Sequence, residues 1–272
     1  MNPIDTLQLV AMVLYLIATG MVGFGIHADR SSPVRAGVAV TLVAVVVHGA
    51  SFMIEMGRIG GFNADFFNSL ALVSLINLLV VLVGLLRFAW VELLILALPG
   101  TAGFTLLKLL ISPAPMALDT GAPMMDLHVI SSLLSYSMLS IAAVTAVFIA
   151  LLHNLLHRHR GMAVIEILPP LVSMEKMLFQ MIGAGWVILT ISLVTGLLFV
   201  DNLFAQHLAH KTFLSILSWL VFGLLLAGRW RYGWRGMRVV RLCLIGMAIL
   251  LLAYFGSKAV LELVLDRHWR AA

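Results

Sequence analysis

The chain has 272 residues, 62% of them hydrophobic and 11% charged, with a formal net charge of +5 and one cysteine, Cys243. Soluble domains run at roughly 45–50% apolar and about 25% charged, so this composition excludes an ordinary water-soluble globule. In such a chain the basic excess reads as topology-setting Lys and Arg rather than a nucleic-acid surface. A single cysteine excludes an internal disulfide, a Cys-x-x-Cys redox pair, a zinc ribbon and a covalent c-type haem linkage.

A hydrocarbon core of about 30 Å needs roughly 20 apolar residues per helix. Eight runs meet or approach that length: Leu7–Ile26, Gly37–Ile54, Phe66–Leu86, Val91–Ile111, His128–Leu152, Met177–Val200, Phe213–Gly228 and Leu242–Leu265. The first lacks a basic leader and is long enough to span, so it reads as a helix rather than a signal peptide. The seventh is short, and its helix is expected to start earlier, within Asn202–Lys211. The connections are brief. The expected fold is therefore all-α, a polytopic membrane helix bundle forming one integral membrane domain over residues 1–272.

The basic residues give an orientation. With the N-terminus outside, eleven of them fall in inner loops (Arg30, Arg35, Arg87, Arg158, Arg160, Lys176, Arg229, Arg231, Arg235, Arg238 and Arg241) and six fall outside. The positive-inside rule then predicts N-out and C-out. The densest basic stretch, Arg229-Trp230-Arg231-Tyr232-Gly233-Trp234-Arg235, reads as an inner interfacial loop. Its aromatics would sit at headgroup depth and its arginines toward anionic lipid; a patch for an anionic ligand is the alternative. The prolines of Glu166–Lys176 predict an extended break there. An amphipathic surface segment should follow before the sixth helix turns in.

The histidines carry most of the chemical interest. His48 lies eleven residues beyond Gly37, ~16 Å into the membrane at 1.5 Å per residue. An imidazole at that depth is either a ligand or proton relay facing a cavity, or a neutral group making one interhelical hydrogen bond. His128, Ser132 and Ser135 share one face of the fifth helix. That face is either the wall of an outward pocket with His128 at its mouth, or a close-packing seam. His207 and His210, at i and i+3, precede the seventh helix. They fall at the same membrane face as His128, and two imidazoles from different helices are what a haem iron needs for axial ligation. The alternative is a pair of solvated loop histidines. His153 and His157, among arginines at the inner end of the fifth helix, read as part of a basic anchor. No Walker, nucleophile-elbow or His-Glu-x-x-His pattern occurs, so the chain reads as non-enzymatic, with no resident metal-ion site.

Several separated motifs carry a family resemblance. They are Leu127-His128 through Tyr136, Leu168-Pro169-Pro170-Leu171, Met174-Glu175, His210-Lys211-Thr212 through Trp219, Gly233-Trp234-Arg235-Gly236 and Ala253-Tyr254-Phe255-Gly256-Ser257-Lys258. Together they resemble the YpjD-type inner membrane proteins of the wider cytochrome c assembly family, which includes CcsA, CcmC and HemX-like proteins. The likeness is densest from His128 to Leu265, with a family core over about residues 66–265. It implies a multi-pass protein of the bacterial inner membrane that binds haem non-covalently. The positions similar to the family's external haem-ligating histidines are His128, His210 and His207, and His48 resembles a membrane histidine. The implied partners are the lipid bilayer, haem and other cytochrome c biogenesis or membrane proteins, with no nucleic acid. The tryptophan-rich segment of the family's external loop is missing: Asp201–Thr212 contains no tryptophan. Two readings follow, a haem-binding assembly factor and a non-enzymatic accessory subunit of a transporter or envelope complex. A secondary transporter is a weaker third, without paired half-helices or buried acids.

Overall fold

The computed structural model describes residues 2–63, 65–86, 91–111, 117–118, 123–157, 171–199 and 206–256. In chain order the elements are α1 (Pro3–His27), α2 (Ser31–Ile59), β1 (Phe62–Asn63), α3 (Phe66–Gly84), α4 (Val91–Leu110), β2 (Ala117–Leu118), α5 (Pro123–His157), α6 (Leu171–Phe199), α7 (Gln206–Tyr232) and α8 (Met237–Leu251). A π-helical turn, Leu252–Gly256, continues α8. Eight helices among the described residues are long and apolar enough to cross a bilayer, matching the eight hydrophobic runs. Large apolar side chains such as Val46, Met53, Leu110 and Leu198 stand exposed on them. Hydrocarbon is the solvent that accommodates such surfaces, because each helix satisfies its own backbone. The fold is an all-α polytopic membrane bundle.

The chain forms two compact units, Met1–Asp119 and Thr120–Ala272. In the first, α1 packs between α2 and α4, and α3 completes the group against α4. The α1–α2 hairpin closes tightly because Gly25 and Gly37 lack side chains. A Cβ on Gly37 would stand 2.7 Å from Val22 Cγ2 and 3.3 Å from the Ala18 carbonyl oxygen. Small residues at such contacts let membrane helices approach to backbone distance. α2 ends at Gly60, whose φ of 71° is left-handed and whose N–H donates to the Met56 carbonyl. α3 starts on Asp65, whose carboxylate accepts from the Phe67 and Asn68 N–H groups, relieving two of the orphan donors of a helix start. β1 and β2 pair antiparallel, Phe62 opposite Leu118 and Asn63 opposite Ala117.

In the second unit α6 packs against both α5 and α7, and α8 closes the group against α5 and α7. α5 has 35 residues, about 52 Å at 1.5 Å per residue, so it exceeds the ~30 Å hydrocarbon core and its ends reach headgroup depth. Glycines set the spacing here too. A Cβ on Gly185 would stand 2.8 Å from Leu139 Cγ, and one on Gly246 would meet the Phe222 ring at 3.0 Å. α6 and α7 are clasped by two indoles. The Trp186 and Trp219 rings stack at 5.3 Å, Trp186 Nε1–H donates to the Trp219 carbonyl, and Trp219 Nε1–H donates to Thr190 Oγ1.

The seventh helix starts at Gln206, inside the segment anticipated for it. One boundary expectation changed. Residues Leu171–Lys176, expected to lie along the membrane surface, are instead the opening turns of the continuous helix α6. The Leu168–Pro170 motif, the Asp201–Ala205 part of the loop before the seventh helix and residues from Ser257 onward lie outside the described residues.

Candidate functional site

His128 lies in the second turn of α5, where that helix meets the far end of α6. Its Nδ1 is 2.8 Å from the Ser192 carbonyl oxygen. A carbonyl can only accept, so Nδ1 is the donor, and Nε2 is the ring nitrogen left to serve a ligand. No hydrogen bond to Nε2 is formed among the described residues. The ring has room because residue 196 is glycine: a Cβ there would stand 2.9 Å from His128 Cε1 and 3.0 Å from Nδ1. Ser132 supports the arrangement by donating to the His128 carbonyl at 2.7 Å and pairing with Ser192 Oγ at 2.6 Å. A metal-binding imidazole is held in this way, with one nitrogen donating to a carbonyl and the other left basic.

The serine face of α5 is used for packing. Ser135 donates to the Gly185 carbonyl at 3.0 Å, Ser131 to the His128 carbonyl, and Ser135 and Ser137 are fully buried. Among the described residues these serines make the close seam foreseen as one of the two readings. His207 and His210 both fall in the first turns of α7, so the segment is helical. The His210 side chain is exposed. The α6–α7 pairs, Trp219 with Trp186 and Arg229 with Phe179, set an antiparallel register. That register puts His210 level with the Thr195–Phe199 end of α6, the end on which His128 rests. His128 and His210 share that end without touching each other.

His48 belongs to the first unit and is fully buried between α2 and α1. Its Nδ1 pairs with Tyr15 Oη at 3.2 Å, an interhelical hydrogen bond of the kind expected of a neutral membrane histidine. Its Nε2 has no partner among the described residues, and its ring lies 5.1 Å from that of Phe52. Beyond Phe52 is a group that sequence reading missed. Lys108 on α4 reaches Glu55 on α2 at 2.6 Å, both nearly buried. Asn63 donates to the other Glu55 oxygen at 2.7 Å, and the Lys108 ammonium stands 4.5 Å above the Phe52 ring. Glu55 and Lys108 lie 53 residues apart, and no local pattern links them. At the opposite end of the second unit, His153 and His157 form an exposed stacked pair.

Eight helices among the described residues, each long and apolar enough to cross a bilayer, define a multi-pass membrane protein. The chain belongs to the cytochrome c assembly protein family, whose model matches residues 7–265. It is 33% identical to the inner membrane protein YpjD of Escherichia coli K12 over 94% of this chain and 98% of that one. It is 35% identical to a 28.8 kDa Azospirillum brasilense protein encoded in a nifR3-like 5′ region, over 57% of this chain and 58% of that one. It is 22% identical to the cytochrome c biogenesis protein CcsA of Chlamydomonas reinhardtii, over 59% of this chain and 45% of that one. No solved structure matches it. The protein is a multi-pass inner membrane protein of cytochrome c assembly type.

Proposed function

We propose that the protein is a non-enzymatic haem-handling factor of cytochrome c biogenesis, binding haem non-covalently at the outer end of its second unit. His128 supplies one axial ligand and α7 the other, His210 in preference to His207, since His210 is closer to the spanning part of α7. The observation that carries this reading is the His128–Ser192 hydrogen bond, which engages Nδ1 and leaves Nε2 for a ligand. Gly196 adds the space that the ring needs. A bis-imidazole pair holds haem iron and sets its potential. Family membership and the likeness to CcsA agree with a role in cytochrome c assembly, and the basic-residue split favours an outward site.

The test is the absorbance of the purified protein. The wild type is expected to show a Soret band. His128→Ala and His210→Ala should each lose most of it, while His157→Ala, at the opposite end, keeps it. A wild type without haem after haem supplementation refutes the reading and leaves a haem-free accessory subunit, which the tryptophan-free outer loop favours. Haem lost only in His48→Ala would place the ligand in the first unit instead.

A further inference from the structure

At the end of the second unit remote from His128, the chain builds a pocket that haem handling does not use. α7 stops in a turn made possible by glycines. Gly233 has φ +65°, a left-handed conformation that favours glycine. Its N–H donates to the Arg229 carbonyl, and the Trp234 N–H donates to that of Gly228. Gly228 must be bare because a Cβ there would run into the Trp234 ring. Gly236, also at φ +65°, opens α8, and its N–H donates to Glu175 Oε1 on α6 at 2.8 Å.

These ties gather the ends of α6, α7 and α8 around a cavity of about 430 Å³, lined by Lys176, Arg229 and Arg235 together with Glu175, Phe179 and Val172. Three cations therefore face one carboxylate, and that carboxylate already accepts from Gly236. The Arg229 guanidinium lies 4.7 Å above the Phe179 ring and donates from Nη1 to the Trp234 carbonyl at 3.1 Å. A guanidinium has five N–H donors, so this contact fixes its plane and leaves most of the fork for a ligand.

We propose that this pocket binds a phosphate group, supplied by an anionic phospholipid headgroup or by free phosphate. A planar fork with two further cations matches the charge and geometry of phosphate oxygens. The pocket lies at the ends of spanning helices, beside the exposed rings of Trp230 and Tyr232, the depth at which headgroups lie. Charges that only set topology need no fixed geometry. Here three bare glycines and a carboxylate tie hold the arginines in place.

The experiment uses the full-length protein in nanodiscs of phosphatidylcholine with or without phosphatidylglycerol, and native mass spectrometry counts the lipids retained. Arg235→Gln and Lys176→Gln alter exposed side chains and should fold. Each is expected to retain phosphatidylglycerol about tenfold less well, the scale of one lost charge-assisted hydrogen bond. Arg241→Gln removes the same charge from α8 outside the pocket and should retain it nearly as well as wild type. Arg235→Lys should fall between, since it keeps the charge and loses the fork. Inorganic phosphate that displaces the lipid, or is itself retained in phosphatidylcholine discs, identifies free phosphate as sufficient. Retention of lipid alone identifies the headgroup. Equal losses in Arg235→Gln, Lys176→Gln and Arg241→Gln, or no retention of either ligand by wild type, overturn the proposal.

Discussion

At the scale of single residues, the proposed haem site depends on what is absent at position 196. Gly196→Ala would place a methyl 3.0 Å from His128 Nδ1, so the ring must turn and the bond to Ser192 must break. Overpacking of this kind costs about 1–3 kcal/mol. The expected result is normal membrane insertion with a weakened Soret band, approaching that of His128→Ala. Ser192→Ala keeps the carbonyl that orients the ring and should keep the band. Full haem retention in Gly196→Ala would show that the ring position does not govern binding. The site was only partly legible in the sequence. His128 and the α7 pair stood out as imidazoles at helix ends. Gly196, Ser192 and Tyr15 did not, because each matters through a partner 33 or more residues away. The serine face showed which side of α5 was polar but not whether helix or cavity lay opposite.

At the scale of elements, the first unit offers two tests. Gly37 and Gly49 lie on the same helix in different surroundings. A Cβ on Gly37 meets Val22 and the Ala18 backbone, whereas one on Gly49 meets nothing within 4 Å. Gly37→Ala should lower the midpoint of thermal unfolding in detergent. Gly49→Ala should hold or raise it, because alanine favours helix by about 1 kcal/mol. The Glu55–Lys108 pair ties α2 to α4 through groups that are nearly buried. Lys108→Met leaves the carboxylate with only Asn63, and breaking such a pair costs ~3–5 kcal/mol. Adding Glu55→Met to Lys108→Met should recover most of the lost midpoint, since the pair's desolvation cost goes with it. A double variant no better than the single one would mean that Lys108 acts through packing on Phe52. The spans themselves were easy to read, because hydrocarbon demands about 20 apolar residues whatever the neighbours. Their ends were harder. α2, α5, α6 and α7 extend past the apolar runs by several residues, and hydropathy does not mark where such a helix stops.

At the scale of the whole molecule, the eight helices among the described residues that are long enough to span would, if all cross, put both termini on one side of the membrane. The eleven-to-six division of basic residues predicts the outside. A periplasm-active reporter fused after Ala272 should give signal, and a cytoplasm-active one should be silent. The reverse result would turn the molecule over, moving His128 to the inner face and the arginine pocket to the outer.

The tryptophan clasp gives the protein an optical gauge of its own. Two indoles stacked at 5.3 Å and 17° are near enough for their excited states to couple, which should leave a paired band of opposite signs in the ultraviolet circular dichroism. Gly223 leaves the space in which Trp186 sits, since a Cβ there would approach its Nε1 to 3.2 Å. Gly223→Val should therefore erase that couplet while helical content stays constant. Because the clasp joins α6 and α7, which reach both proposed sites, the amplitude of the couplet would register any sliding of α6 along α7 on ligand binding, without an added dye.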